Sequence, residues 1–164
     1  MRSQFFVNDG GRYRELFAAD IGEFFDIPLL GRGLATLDWN RDGLTDVLAS
    51  NIGEPAALLT NRSRDVGAGL SLQLVGVSGA RDAIGARVVV TVGDQSRERQ
   101  LTAGDGYQAS NERRLNFGCG AVRDDDTATL EIHWPHGERQ RIEGLPVRGE
   151  YLIVEGRPPL TCNP

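Results

Sequence analysis

"LSLQLVGV" (70–77) decides the fold class. Leu70, Leu72 and Leu74 fall on one face of an extended chain and Ser71 and Gln73 on the other. "TLEIHWP" (129–135) repeats the pattern, with Leu130, Ile132 and Trp134 set against Glu131 and His133. Alternation with a period of two marks strands that bury one face. Seven strand candidates follow one another at short spacing: 70–77, 86–93, 97–103, 113–118, 128–135, 138–143 and 150–155. Many short strands joined by Gly-containing turns favour a sandwich or barrel. No run of helical period competes with them, so the chain reads as all-β. With 164 residues, 40% apolar and 25% charged, it is long and apolar enough to bury a real core.

Upstream, "SQFFVNDGGRYRELF" (3–17) alternates around Asp9-Gly10-Gly11, a hairpin signal. Residues 18–32 read as irregular. Residues 33–39, 45–51 and 56–62 then read as three strands, the first two joined by an acidic loop. "NRSRDVGAG" (61–69) is a polar break and the expected domain boundary. The ending "PPLTCNP" reads as a frayed terminus, so residues 157–164 are expected to form a tail.

The acidic loop carries the chemistry. In "DWNRDGLTD" (38–46), Asp38, Asn40, Asp42 and Asp46 stand at positions one, three, five and nine. Alternate residues turn oxygens toward one point, Gly43 permits a sharp turn, and the Leu44 carbonyl follows at position seven. Hard oxygen donors in this spacing suit calcium, which takes six to eight oxygens, better than magnesium. The loop is not an EF-hand. Position twelve is Ala49 rather than a bidentate Glu, and the flanks read as strands rather than helices. Three carboxylates within nine residues repel unless a cation neutralises them, which separates this loop from an ordinary Asp-Gly turn.

Other candidates are weaker. His133 falls on the polar face of its strand and His136 in a Pro-His-Gly turn, so the pair does not read as a metal site. "RDDD" (123–126) lacks alternation and reads as a solvated turn. "GRG" (31–33) has no strand-then-helix context for a phosphate loop. "GDGY" (104–107) and "SNERR" (110–114) read as a strand connection, with a sugar- or peptide-contacting loop as the alternative. Asn61-Arg62-Ser63 is a formal glycosylation sequon. Cys119 reads as a buried thiol and Cys162 as a tail thiol; pairing stays open. No nucleophile–base pair is apparent, so no catalytic residue is named. A net charge of −5 disfavours a nucleic-acid partner, and no run reaches the length of a membrane span. Residues 1–30 lack the basic start and continuous apolar core of a signal peptide.

"GRGLATLDWNRDGLTDVLASN" with "PAALLTNRS" resembles an FG-GAP repeat of the VCBS or integrin-α type, in which this loop joins two strands of a propeller blade and holds calcium. "SQFFVNDGGRYREL" resembles the tail of a preceding repeat. "DAIGARVVVTVG" (82–93), "TAGDGYQASNERRLNFGCG" (102–120) and "IHWPHGERQRIEGL" (132–145) resemble the ASPIC/UnbV domain over about 65–156. Ala83 stands where that family tends to have Gly, and Cys119 where Leu is usual. The whole resembles the C-terminal part of a cartilage-acidic-protein-like protein. The resemblance implies an extracellular or periplasmic, non-catalytic adhesion or recognition module: partial propeller blades in 1–62, an ASPIC/UnbV β domain in 65–156, structural calcium, and a protein or carbohydrate ligand. The rival readings are the C-terminal part of a propeller enzyme whose active site lies outside this chain, and an assembly module of a larger exported complex.

Overall fold

The strand periodicity is realised in a computed structural model that describes residues 1–123 and 125–162. The described chain is all-β. Two strands, β1 (Phe5–Asp9) and β2 (Arg12–Leu16), pair as the expected hairpin. Gly10 and Gly11 both take positive φ, +60° and +88°, as a two-residue turn matched to strand twist requires. The Asn8 Oδ1 accepts the Gly11 amide at 3.0 Å. Residues 18–32 are not wholly irregular. Ala18–Ile21 form one α turn (α1) and Glu23–Asp26 one 3-10 turn. Phe25 lies edge-on to Phe5 and Phe24, which ties the 3-10 turn to the hairpin.

Strands β3 (Gly31–Leu37), β4 (Asp46–Asn51) and β5 (Ala57–Leu59) form an antiparallel three-stranded sheet. The acidic loop spans β3 and β4, as read from the sequence. Ala49, position twelve of the rejected EF-hand, sits mid-strand and buried.

The remaining strands build a sandwich. One sheet runs β11 (Arg139–Pro146), β10 (Thr127–His133), β7 (Arg87–Val92), β8 (Gln95–Gln100). The other runs β13 (Leu160–Thr161), β12 (Gly149–Val154), β6 (Ala68–Val75), β9 (Leu115–Gly120). β12 and β6 pair in parallel; every other pair is antiparallel. Leu70, Leu72 and Leu74 face Val88, Val90, Leu130 and Ile132 across one core. All residues of that core lie at 68 or beyond. In residues 1–67 only Asp38, Asp46 and Ala49 are buried.

Three expectations shift. β8 begins at Gln95, because the two-residue turn Gly93-Asp94 returns the chain at once. β9 begins at Leu115, because Arg113 and Arg114 turn aside to pair with Asp82 and with Glu112 and Glu150. The tail is partly ordered: Leu160 and Thr161 pair with Leu152 and Tyr151, and the Cys162 amide donates to the Glu150 carbonyl at 2.8 Å. Cys119 is buried and Cys162 exposed, and both are free thiols.

Candidate functional site

The acidic loop winds around Asp38. Its Oδ1 accepts the Asp42 amide at 3.2 Å and its Oδ2 the Gly43 amide at 2.9 Å. Gly43 takes φ +83°, the sharp turn expected of it. Asp42 Oδ1 accepts the Leu44 amide at 2.8 Å, and its Oδ2 the Asn40 side-chain amide at 2.7 Å. Asp46 closes the base of the loop, accepting the Trp39 amide at 3.1 Å and the Asn61 amide at 2.7 Å. The Asn61 side chain donates to the Thr45 carbonyl at 3.2 Å and accepts from Ser63, so the sequon asparagine is engaged at the loop.

Asp38 and Asp46 are 4% and 0% exposed. A buried carboxylate needs partners, and backbone amides supply some of them here. Each carboxylate offers about four acceptor positions. The bonds above use two on Asp38 and two on Asp46, which leaves lone pairs for a further donor or a cation. In this geometry, among the described residues, no three His, Cys, Asp or Glu side chains converge as a metal-ligating group. The structure thus brings Asp38, Asn40 and Asp42 into one hydrogen-bonded turn and sets Asp46 at its base. The donor chemistry, three carboxylates with an amide oxygen and the Leu44 carbonyl, fits a hard cation.

Sequence reading missed the neighbours of this loop. The segment "SNERR" (110–114) leaves the sandwich and grips β3, the edge strand of the three-stranded sheet. Asn111 Oδ1 accepts the Thr36 amide at 2.8 Å, and the Glu112 amide donates to the Thr36 carbonyl at 2.8 Å. Glu112 Oε2 accepts the Asp38 amide at 3.0 Å. Its Oε1 takes Arg41 Nη1 at 2.6 Å and Arg114 Nε at 3.1 Å. Arg41, in the loop, has φ +58°, and its guanidinium is held protonated above its ordinary range, first by the hydrogen bond to Glu112. Just before this segment, "GDGY" folds over Gly33. A side chain at Gly33 would meet Ser50 Oγ at 3.0 Å, with the Tyr107 carbonyl and the Ala109 methyl at 3.5 Å, so the approach is close and a larger residue would have to displace Ser50. Tyr107 itself is exposed.

Behind the grip lies a buried pair. Arg114 Nη1 stands 3.2 Å from Glu150 Oε2, both side chains 11% exposed. That contact pairs charges without hydrogen-bond geometry, and Glu150 Oε1 is buried with no hydrogen-bond partner. An incompletely satisfied buried pair is a weak joint. A cleft of about 920 Å³ opens here, lined by Arg41, Asn111, Glu112, Arg114, Ser71 and Glu150 among others. No local pattern announces this junction, since its bonds join residues more than 70 positions apart. The available signal was an amide and an acid ahead of two arginines, in a chain whose acidic loop carries its own arginine.

The histidines do not meet at a site. His133 Nδ1 lies 3.3 Å from Arg87 Nη2. His136 is more than a turn residue: its Nε2 lies 2.6 Å from Glu155 Oε1. Glu155 also accepts the Val77 and Ser78 amides at 2.6 and 2.9 Å, and these, chiefly the Val77 amide, pull its pKa down from 4.5 to about 2. Of the acidic run 123–126, Asp126 caps its own turn by accepting the Arg123 amide at 2.8 Å, and Asp124 lies outside the described residues. Gly31 and Gly33 are part of β3. Among the described residues no helix is long and apolar enough to cross a membrane.

A model of the family described as ASPIC and UnbV matches residues 76–159, just over half of the chain. A comparison with curated proteins finds no match. The matched stretch holds six of the eight sandwich strands and the "SNERR" grip; β6, which carries Leu70, Leu72 and Leu74, precedes it, and β13 follows it. On that match the chain belongs to the ASPIC and UnbV family.

Proposed function

We propose that the chain is a calcium-stabilised, non-catalytic adhesion or recognition module of an exported protein. In this reading residues 1–62 are the end of one FG-GAP/VCBS repeat and a second that carries the loop, and residues 65–156 are the ASPIC/UnbV domain seated beside it. The observation that carries the reading is the burial of Asp38 and Asp46 in a loop already wound by backbone amides. Asp38, Asn40, Asp42, the Leu44 carbonyl and Asp46 would hold the ion. When bound, calcium would offset two of the three carboxylate charges and fix the loop between β3 and β4. Around it the chain's own residues bind and orient: Glu112 holds the Asp38 amide, and Asn61 closes the base. Family membership supports placement outside the cytoplasm, since ASPIC/UnbV domains are typically extracellular or periplasmic. The polar cleft at the junction supports recognition of a protein or carbohydrate ligand.

The test is a pair of melts, in millimolar calcium and in chelator. An ion bound only by the native state adds about 2.7 kcal/mol at a hundredfold excess over Kd. A midpoint unchanged by calcium, with no ion bound at equilibrium, removes the reading.

A further inference from the structure

We propose that "SNERR" is a coupling latch, with Glu112 at its centre: cation occupancy of the acidic loop and docking of the sandwich on β3 reinforce each other. The inference rests on the calcium reading of the loop and adds its regulation.

Glu112 contacts the loop twice and the sandwich once. It accepts the amide of Asp38, the first loop residue, and binds Arg41 between Asn40 and Asp42. Through Arg114 it reaches Glu150 on β12, a strand at the centre of the sandwich sheet. Charges alternate along the path: loop carboxylates, Arg41, Glu112, Arg114, Glu150. Asn111 and the Glu112 backbone hold Thr36 in the same grip, one bond to its amide and one to its carbonyl.

Two physical consequences follow. Docking fixes the Asp38 peptide and holds Arg41 in a left-handed turn that non-glycine residues avoid, so the loop is pre-wound before any ion arrives. In the other direction, Arg41 is attracted by Asp38 as well as by Glu112. A cation that neutralises Asp38 and Asp42 leaves the arginine to Glu112 and tightens the grip. Linkage makes the two effects equal in magnitude. The poorly hydrogen-bonded Arg114–Glu150 pair is the joint where the difference is felt.

The test uses the full chain, calcium alone as probe, calorimetry and amide exchange. Calcium is expected to raise protection of the Thr36, Asp38 and Glu112 amides. Both Glu112→Ala and Asn111→Ala are expected to weaken calcium binding by about fivefold or more, the lower end of ordinary coupling. Asn111→Ala leaves the charge unchanged, so a purely electrostatic role for Glu112 predicts wild-type affinity in that variant. If wild type binds calcium while Asn111→Ala keeps full affinity and protection at those amides ignores the ion, the latch is wrong and the calcium reading stands. If wild type binds no calcium, both fall. Protection of Val88 and Ile132 in the sandwich core reports that each variant is folded. Should one unfold, the wild-type exchange comparison alone decides.

Discussion

Leu72→Ala should be among the most damaging single changes in this chain, although residue 72 precedes the stretch matched by the family. Leu72 is 0% exposed, and its strand β6 lies between β12 and β9, with Tyr151 and Leu115 as its register partners. The change removes three buried carbons, worth roughly 2.4 kcal/mol at about 0.8 each. The cavity left between two sheets that cannot collapse raises the loss to about 3–5 kcal/mol. Against a typical stability of about 5–15 kcal/mol, that is a large share. Leu48→Ala is the control. Leu48 is 41% exposed on the three-stranded sheet, and its loss should stay below about 1 kcal/mol. Urea titrations followed by circular dichroism measure both, with the slope m checked for constancy. For a sandwich of this size the Leu72 variant should also melt at least about 10 °C lower. A Leu72 loss within about 0.5 kcal/mol of wild type, or no greater than that of Leu48→Ala, would show that β6 is not a member of the core.

Three further outcomes follow from the same structure. The depressed pKa of Glu155 means its contribution is complete above about pH 4.5 and is lost as pH falls toward about 2, so Glu155→Gln should flatten the wild-type loss of urea resistance across that window; an unchanged slope refutes this. Ala83→Gly should change stability by less than about 1 kcal/mol, because relief of its φ of +50° offsets the lost buried methyl, whereas Ala86→Gly, equally buried and without that relief, should cost about 1–2 kcal/mol; equal losses in denaturant titrations contradict it. Amides in 1–32 should exchange well before those in 86–93 and 128–135, because no residue of the N-terminal stretch is buried; equal protection in a confirmed monomer would show a finished N-terminal fold.

The strands were legible because their signal is local. Alternation in 70–77 and 129–135 names the buried face, and each strand expected beyond residue 69 is found within a few positions. Gly10-Gly11 and Gly43 were legible because positive φ leaves few choices of residue. β13 was hidden in a segment of prolines that reads as a terminus, since two residues pairing with Tyr151 and Leu152 carry no pattern. Ala83 stands where the family tends to have Gly, and only the backbone, at φ +50°, shows the physical reason. The loop's place between two strands and its turn at Gly43 were readable from the sequence, but its setting was not. Glu112 meets Asp38 and Arg41 across more than 70 residues, and such pairing is decided by how two sheets dock.

A calorimetric calcium titration of the wild-type chain beside Asp42→Ala and Asp126→Ala tests the loop's role most directly. Asp42 sits inside the wound loop, while Asp126 caps a distant turn. Wild type is expected to bind one calcium, Asp42→Ala to bind it at least about tenfold more weakly, equivalent to about 1.4 kcal/mol, and Asp126→Ala to bind it unchanged. No binding by wild type, or equal weakening in the two variants, would contradict that role.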